Sequence, residues 1–200
     1  MVMAIIAIAK EKLDVLQEHG VDDSKKLSKK KREIIYNVLN KHFENEIAII
    51  PPKKIDEALI SSSSNLNILE GQVSSQLFNK LNSRISIDEV YLDCPSINIE
   101  NYSALFKKSI KNKSVKIIVE HKADENYLIV GAASILAKVT RDNEIEKIKN
   151  EIGHDFGSGY PSDPKTIAFL KKYYKNYDIF RKTWSTYQKI TSRKNQKTLF

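Results

Sequence analysis

Two aspartates stand where predicted strands run out. Asp93 closes "EVYLDCP", where Pro95 stops the strand from continuing, and Asp124 follows "VKIIVEHKA" just ahead of the small-residue run "IVGAASILAKVTRD". In an open α/β sheet, sites lie beyond the carboxyl ends of the strands, so two such acids from neighbouring strands can converge. Carboxylate oxygens suit hard divalent cations, and two-metal phosphodiester hydrolysis uses such cations to hold both the attacking and the leaving oxygen. That chemistry needs more acids than these two. Taken singly, each aspartate has a plainer role, because an Asp after a strand is commonly a turn residue or a helix cap, and for either one alone that reading is favoured.

The elements that must hold these acids follow from periodicity. Residues 2–9 are apolar enough for a strand buried on both faces, and further strands are predicted at 46–50, ended by Pro51 and Pro52, at 88–94 and at 115–121. A short helical turn carries Leu13 and Leu16, and Ser28 caps a helix through Ile34, Ile35, Val38 and Leu39. Leu66, Leu69, Val73, Leu77 and Leu81 recur at helical steps, and one long helix is predicted from about Tyr127 to Ile152. Asp163 or Ser162 with Pro164 opens a last helix, Thr166 to Tyr174, after the ordered loop "GHDFGSGYPSDPKT". Alternation of strands with helices predicts an α/β fold with a central mixed sheet flanked by helices. The terminal "TSRKNQKTLF" offers little to bury and is expected to be a flexible tail.

Composition narrows the partners. The 200 residues carry 33 Lys and Arg against 25 Asp and Glu, a formal charge of +8 that favours a polyanionic ligand such as nucleic acid. A single cysteine, Cys94, excludes an internal disulfide framework and a cysteine-based zinc cluster, and suits a reducing cytoplasm. No apolar run approaches the roughly 20 residues of a membrane span. The basic runs Lys25 to Arg32 and Lys189 to Lys197 can meet phosphates or simply be solvated faces. Tyr173, Tyr174, Tyr177, Phe180 and Trp184 are expected to pack a core sooner than stack on bases, and His121 and Cys94 to be structural.

In order and approximate spacing, "DSKKLSKKKRE", "NLNILEGQ", "VYLDCP", "EHKADENYLIVGAASILAKVTRD" and "GSGYPSDPKT" resemble ribonuclease HII, most like its archaeal form, over about Met1 to Trp184. The resemblance implies a ribonuclease-H-like catalytic domain over 1–158, a helical C-terminal extension over 159–190 and a tail over 191–200. It implies an endoribonuclease that cuts the RNA strand of RNA–DNA hybrids and nicks DNA on the 5′ side of embedded ribonucleotides. The family's role lies in replication and repair, with Mg²⁺ or Mn²⁺ held by four carboxylates. Asp93 and Asp124 match the third and fourth of these. Tyr160 matches a tyrosine that packs on the sugar at the RNA–DNA junction, and Ser24, Lys25 and Lys26 match a basic loop near the nucleic-acid backbone. The end "QKTLF" is similar to a sliding-clamp docking peptide, with Gln196, Leu199 and Phe200 as its contacts. A cytoplasmic monomer without membrane attachment is the expected setting.

The family's first two carboxylates stand in a "DEAGRGP" strand and turn. That motif is absent, and "MVMAII" aligns with the strand after it, so roughly fifteen to twenty residues of a family-like start are missing. Two expectations follow: open strand edges on either side of the missing strand, and a chain left inactive by two of four carboxylates. The alternative is a non-catalytic protein that binds RNA–DNA hybrids.

Overall fold

The computed structural model describes residues 1–21 and 27–196, with side chains through Ser192. It divides into two compact units, one of Val2–Ile49 with Leu66–Thr140, the other of Met1, Ile50–Asn65 and Arg141–Phe200.

The first unit holds the strands. β1 (Val2–Ala7) pairs antiparallel with β2 (Glu44–Ile49), and β3 (Glu89–Asp93) pairs parallel with β4 (Lys116–Glu120). Between β1 and β2 run α1 (Asp14–Glu18) and α2 (Lys29–His42), the latter capped as expected by the Ser28 side chain, which accepts the Lys31 N–H. α4 (Leu66–Asn82) leads to β3, and α5 (Ile99–Ser109) joins β3 to β4. After β4 come the single-turn α6 (Ala123–Asn126) and the long α7 (Leu128–Ile152), whose first half belongs to this unit.

Two apolar clusters fix these elements. Ile6, Leu16, Ile35 and Leu39 pack with Ala132, Ile135 and Leu136 of α7. Phe78 and Phe106, both fully buried and edge to face, pack with Val90, Ile110 and Val115 beneath β3 and β4. A third anchor is ionic: buried Glu46 of β2 accepts from Arg84 and lies 2.6 Å from Lys80 Nζ. Burial pushes its carboxyl up, but those two cations outweigh burial and hold it below the ordinary range.

The strands therefore show both senses of the expected mixed sheet, as two ladders and not one, because β1 and β3 do not hydrogen-bond to each other. Every residue of β1 from Met3 to Ala7 and of β3 from Glu89 to Asp93 instead lines a cavity of about 1230 Å³.

The second unit is helical: α3 (Pro52–Ile60), the second half of α7, α8 (Pro164–Tyr173) and α9 (Ser185–Gln196). Buried Phe169 packs among the rings of His154, Phe156, Tyr173, Tyr177 and Phe180, of which Tyr173, Tyr177 and Phe180 are half-buried. Asp56 of α3, 8% exposed, receives the N–H groups of Lys182 and Thr183 at 2.8 and 3.0 Å and the Thr183 hydroxyl. Two differences from expectation follow. The division falls inside α7, between Thr140 and Arg141, and draws in α3, where the sequence suggested a boundary at 158, since Asp56 ties α3 to the segment before α9. The stretch read as a tail from 191 is helical through Gln196, continuing the helix that Ser185 begins.

Candidate functional site

Asp93 and Asp124 are brought together by one short helix. Asp93 sits at the end of β3, where its Oδ1 accepts the N–H of Ala123, the first residue of α6, at 3.1 Å. Asp124 is the next residue along that helix. The N-cap of α6 is Lys122, at φ 56, and its side chain makes no capping bond. It is Asp93, thirty residues away, that satisfies the first backbone donor of α6. Two further bonds close the same corner: Cys94 N–H donates to Glu120 O at 2.9 Å, and His121 Nδ1 lies 3.1 Å from Cys94 O. Cys94 is buried, with its thiol toward Ser96 O.

Both aspartates line the cavity beside the open edge of β3. Their oxygens are the right donor type for Mg²⁺ or Mn²⁺. Among the described residues, no group of three or more His, Cys, Asp or Glu is arranged to hold a metal ion. The pair fits such a cation in donor type and would offer it two carboxylates. Deeper along β3, Glu89 accepts from the Tyr91 hydroxyl at 2.7 Å and from Lys10 and Lys116, which holds its carboxyl at about 2.

The "GSGYPSDP" loop in the helical unit is held by a closed set of hydrogen bonds. Asp163 caps α8 by accepting Lys165 N–H at 2.9 Å and reaches back to accept Ser158 N–H at 2.6 Å; these backbone donors, Ser158 first, depress its carboxyl to about 2. Thr166 donates to Phe156 O at 2.8 Å and accepts Gly159 N–H at 3.0 Å. Gly157, at φ 78, has no room for a side chain, since a Cβ would lie 2.3 Å from Asp163 Oδ2. On this frame Tyr160 is 50% exposed, and the Arg141 guanidinium lies over its ring at 3.8 Å from the centroid.

The sequence pointed to Asp93, Asp124 and Tyr160 but not to the bonds that hold them. The Ala123 link to Asp93, the stack of Arg141 on Tyr160 and the Asp56 anchor all join residues distant in sequence, which local patterns do not reveal. Ser24, Lys25, Lys26, Leu199 and Phe200 lie outside the described residues, as does the side chain of Gln196.

Comparison with known proteins gives this geometry its context. Residues 1–187 match the Ribonuclease HII family. Ribonuclease HII of Methanococcus maripaludis strain C6 is 46% identical over 207 residues, covering 100% of this chain and 84% of that protein. That of Pyrococcus horikoshii is 40% identical over 206 residues, covering 100% and 90%. Among solved structures, ribonuclease H2 from Pyrococcus horikoshii OT3 superposes with a TM-score of 0.83 at 36% identity, over 98% of this chain and 100% of that one. The ribonuclease HII of a PCNA complex from Archaeoglobus fulgidus gives 0.81 at 33% identity, over 94% and 88%. A Bst ribonuclease HIII in complex with Mn²⁺ gives 0.82 at 14% identity, a likeness of fold alone. With the sequence match spanning the strand ends that carry Asp93 and Asp124 and the loop that carries Tyr160, the chain belongs to the ribonuclease HII family and is a type 2 ribonuclease H endonuclease.

Proposed function

We propose that this endonuclease hydrolyses the RNA strand of RNA–DNA hybrids and nicks DNA on the 5′ side of embedded ribonucleotides, in replication and repair. The observation that carries the reading is the joining of Asp93 and Asp124 through α6 at the wall of one cavity. The two carboxylates would be ligands of Mg²⁺ or Mn²⁺, which when bound supplies positive charge and an activated water at the scissile phosphate. Asp93 does two things at once, facing the cavity and bonding the α6 N–H, so the corner is set before substrate arrives. Tyr160 is the proposed ribose contact, with the lysines of the 24–26 loop along the backbone.

Sliding-clamp docking through Gln196, Leu199 and Phe200 is supported by the relative from Archaeoglobus fulgidus, described in complex with PCNA. No described helix is long and apolar enough to cross a membrane, and a cytoplasmic setting goes with the hybrid substrate and the free thiol of Cys94.

The test is cleavage of a labelled RNA–DNA hybrid with Mn²⁺, by this chain and by Asp93→Asn. Asn keeps an oxygen for the Ala123 N–H while removing the charge, so loss of cleavage with folding retained supports the reading. Equal cleavage by both would sink it. Tight binding of the hybrid with no product at any Mn²⁺ concentration would also contradict it.

A further inference from the structure

Arg141 directly follows Val139 and Thr140 in "KVTRD", on α7, and its position in the fold is specific. Its guanidinium lies 3.8 Å from the centroid of the Tyr160 ring, within reach for a strong cation–π contact. It is also gripped at both ends. Nη2 donates to Ser158 O at 2.6 Å and Nη1 to Asp142 Oδ1 at 3.1 Å, so the plane of the fork is set by two acceptors as well as by the ring. The side chain is only 20% exposed, whereas Tyr160 is 50% exposed. Gly159 completes the arrangement: a Cβ there would stand 3.3 Å from Arg141 Nη2 and 2.9 Å from Ile145 Cδ1, so the absence of a side chain makes room for the guanidinium. The backbone of Tyr160 is tied as well, its N–H toward Ser158 Oγ and its carbonyl accepting Asp163 N–H at 3.1 Å.

We propose that Arg141 is a positioning residue for substrate recognition, holding the Tyr160 ring in the pose in which it meets the pentose of a ribonucleotide. This rests on the reading of Tyr160 as the ribose contact. With its backbone tied on both sides, the main freedom left to Tyr160 is rotation of the ring, and a planar cation held by two acceptors removes that freedom. An ammonium cannot substitute, because it lacks a plane to stack and a fork to span Ser158 and Asp142. Holding the ring before binding removes an ordering cost that substrate would otherwise bear, and the effect falls on affinity.

The experiment is a double-mutant cycle on a DNA duplex with one ribonucleotide at saturating Mn²⁺. KM and kcat are measured separately for Arg141→Gln, Arg141→Lys, Tyr160→Ala and the two combinations, with a thermal melt of each. We expect Arg141→Gln and Arg141→Lys each to raise KM about 10-fold, with kcat little changed. In the Tyr160→Ala background the same changes are expected to cost about 2-fold or less, because the residue they position is gone. A KM penalty that persists undiminished in that background overturns the proposal, as does full wild-type behaviour of Arg141→Lys, which would make Arg141 a plain phosphate contact. Should Arg141→Gln fold poorly, the Lys pair carries the same comparison. Tyr160→Ala with unchanged KM would remove the reading of Tyr160 and the proposal together, whereas Tyr160→Ala with a raised KM and inert Arg141 variants overturns the proposal alone.

Discussion

The corner that holds Asp93 and Asp124 and the loop that holds Tyr160 are built on opposite plans. At the corner, two side-chain bonds and one backbone bond tie the ends of β3 and β4 and the start of α6 together and leave both carboxylates at a cavity wall. In the loop, Asp163, Thr166 and Arg141 saturate the backbone, and a single aromatic ring is left half exposed. The first is a set of acceptors that calls for added charge; the second is a finished surface. On the proposed function, chemistry that depends on cations belongs with the first and recognition by shape with the second.

The sharpest way to break this comparison is at the corner. Asp124→Asn is expected to lower turnover about 1000-fold, about 4 kcal/mol of barrier, while leaving the melting temperature within a few degrees of the parent. Hybrid-cleavage rates and melts of the same samples check both halves of the statement. Next in size is Asp56→Ala, which strands two backbone N–H groups and a hydroxyl around a buried position. The cost is about 3 kcal/mol, read by chemical denaturation, and the loss should be concentrated in the helical unit. Burial alone would raise the Asp56 carboxyl, but the Thr183 and Lys182 bonds outweigh it and keep it low, so Asp56→Asn should recover only part of that loss.

Gly157→Ala is expected to cost about 2 kcal/mol, since its positive φ and the 2.3 Å approach to Asp163 both resist a side chain. It should raise KM for a ribonucleotide-containing duplex without touching Mn²⁺ binding, measured by calorimetry. The smallest effect is a dependence on pH. Asp163 is held at about 2 against 3.8 for the free side chain, so its folded pKa is depressed. Its stabilising contribution is fully present above pH 4 and lost as pH falls through 2. An acid melt of Asp163→Asn should lack that component, and Glu89, also held at about 2, should supply a matching loss in the strand unit.

Much of this was legible before any coordinates. Alternation and helix periodicity located the strands and the long helix, because those signals are local and repeated at every turn. Asp93 and Asp124 were legible as acids at strand ends, and the family likeness gave them a partner in Tyr160. The Ser28 and Asp163 caps were readable for the same local reason. What the sequence could not reveal is long in range. Asp93 reaches Ala123 across thirty residues, Asp56 reaches Thr183 across 127, and Arg141 reaches the loop over seventeen. At Lys122 the chain turns left-handed, and the acid that satisfies the start of α6 comes from β3. The tail from 191 was expected to be flexible from its polarity, yet the helix that Ser185 starts runs on to Gln196.

The division of labour between the two regions is tested most directly by cleavage kinetics on a DNA duplex carrying one ribonucleotide, comparing the parent chain, Asp124→Asn and Tyr160→Ala at saturating Mn²⁺. The account predicts product from the parent, loss of kcat in Asp124→Asn with the duplex still bound, and a raised KM with kcat largely kept in Tyr160→Ala. Loss of kcat in Tyr160→Ala together with unimpaired turnover by Asp124→Asn would contradict it.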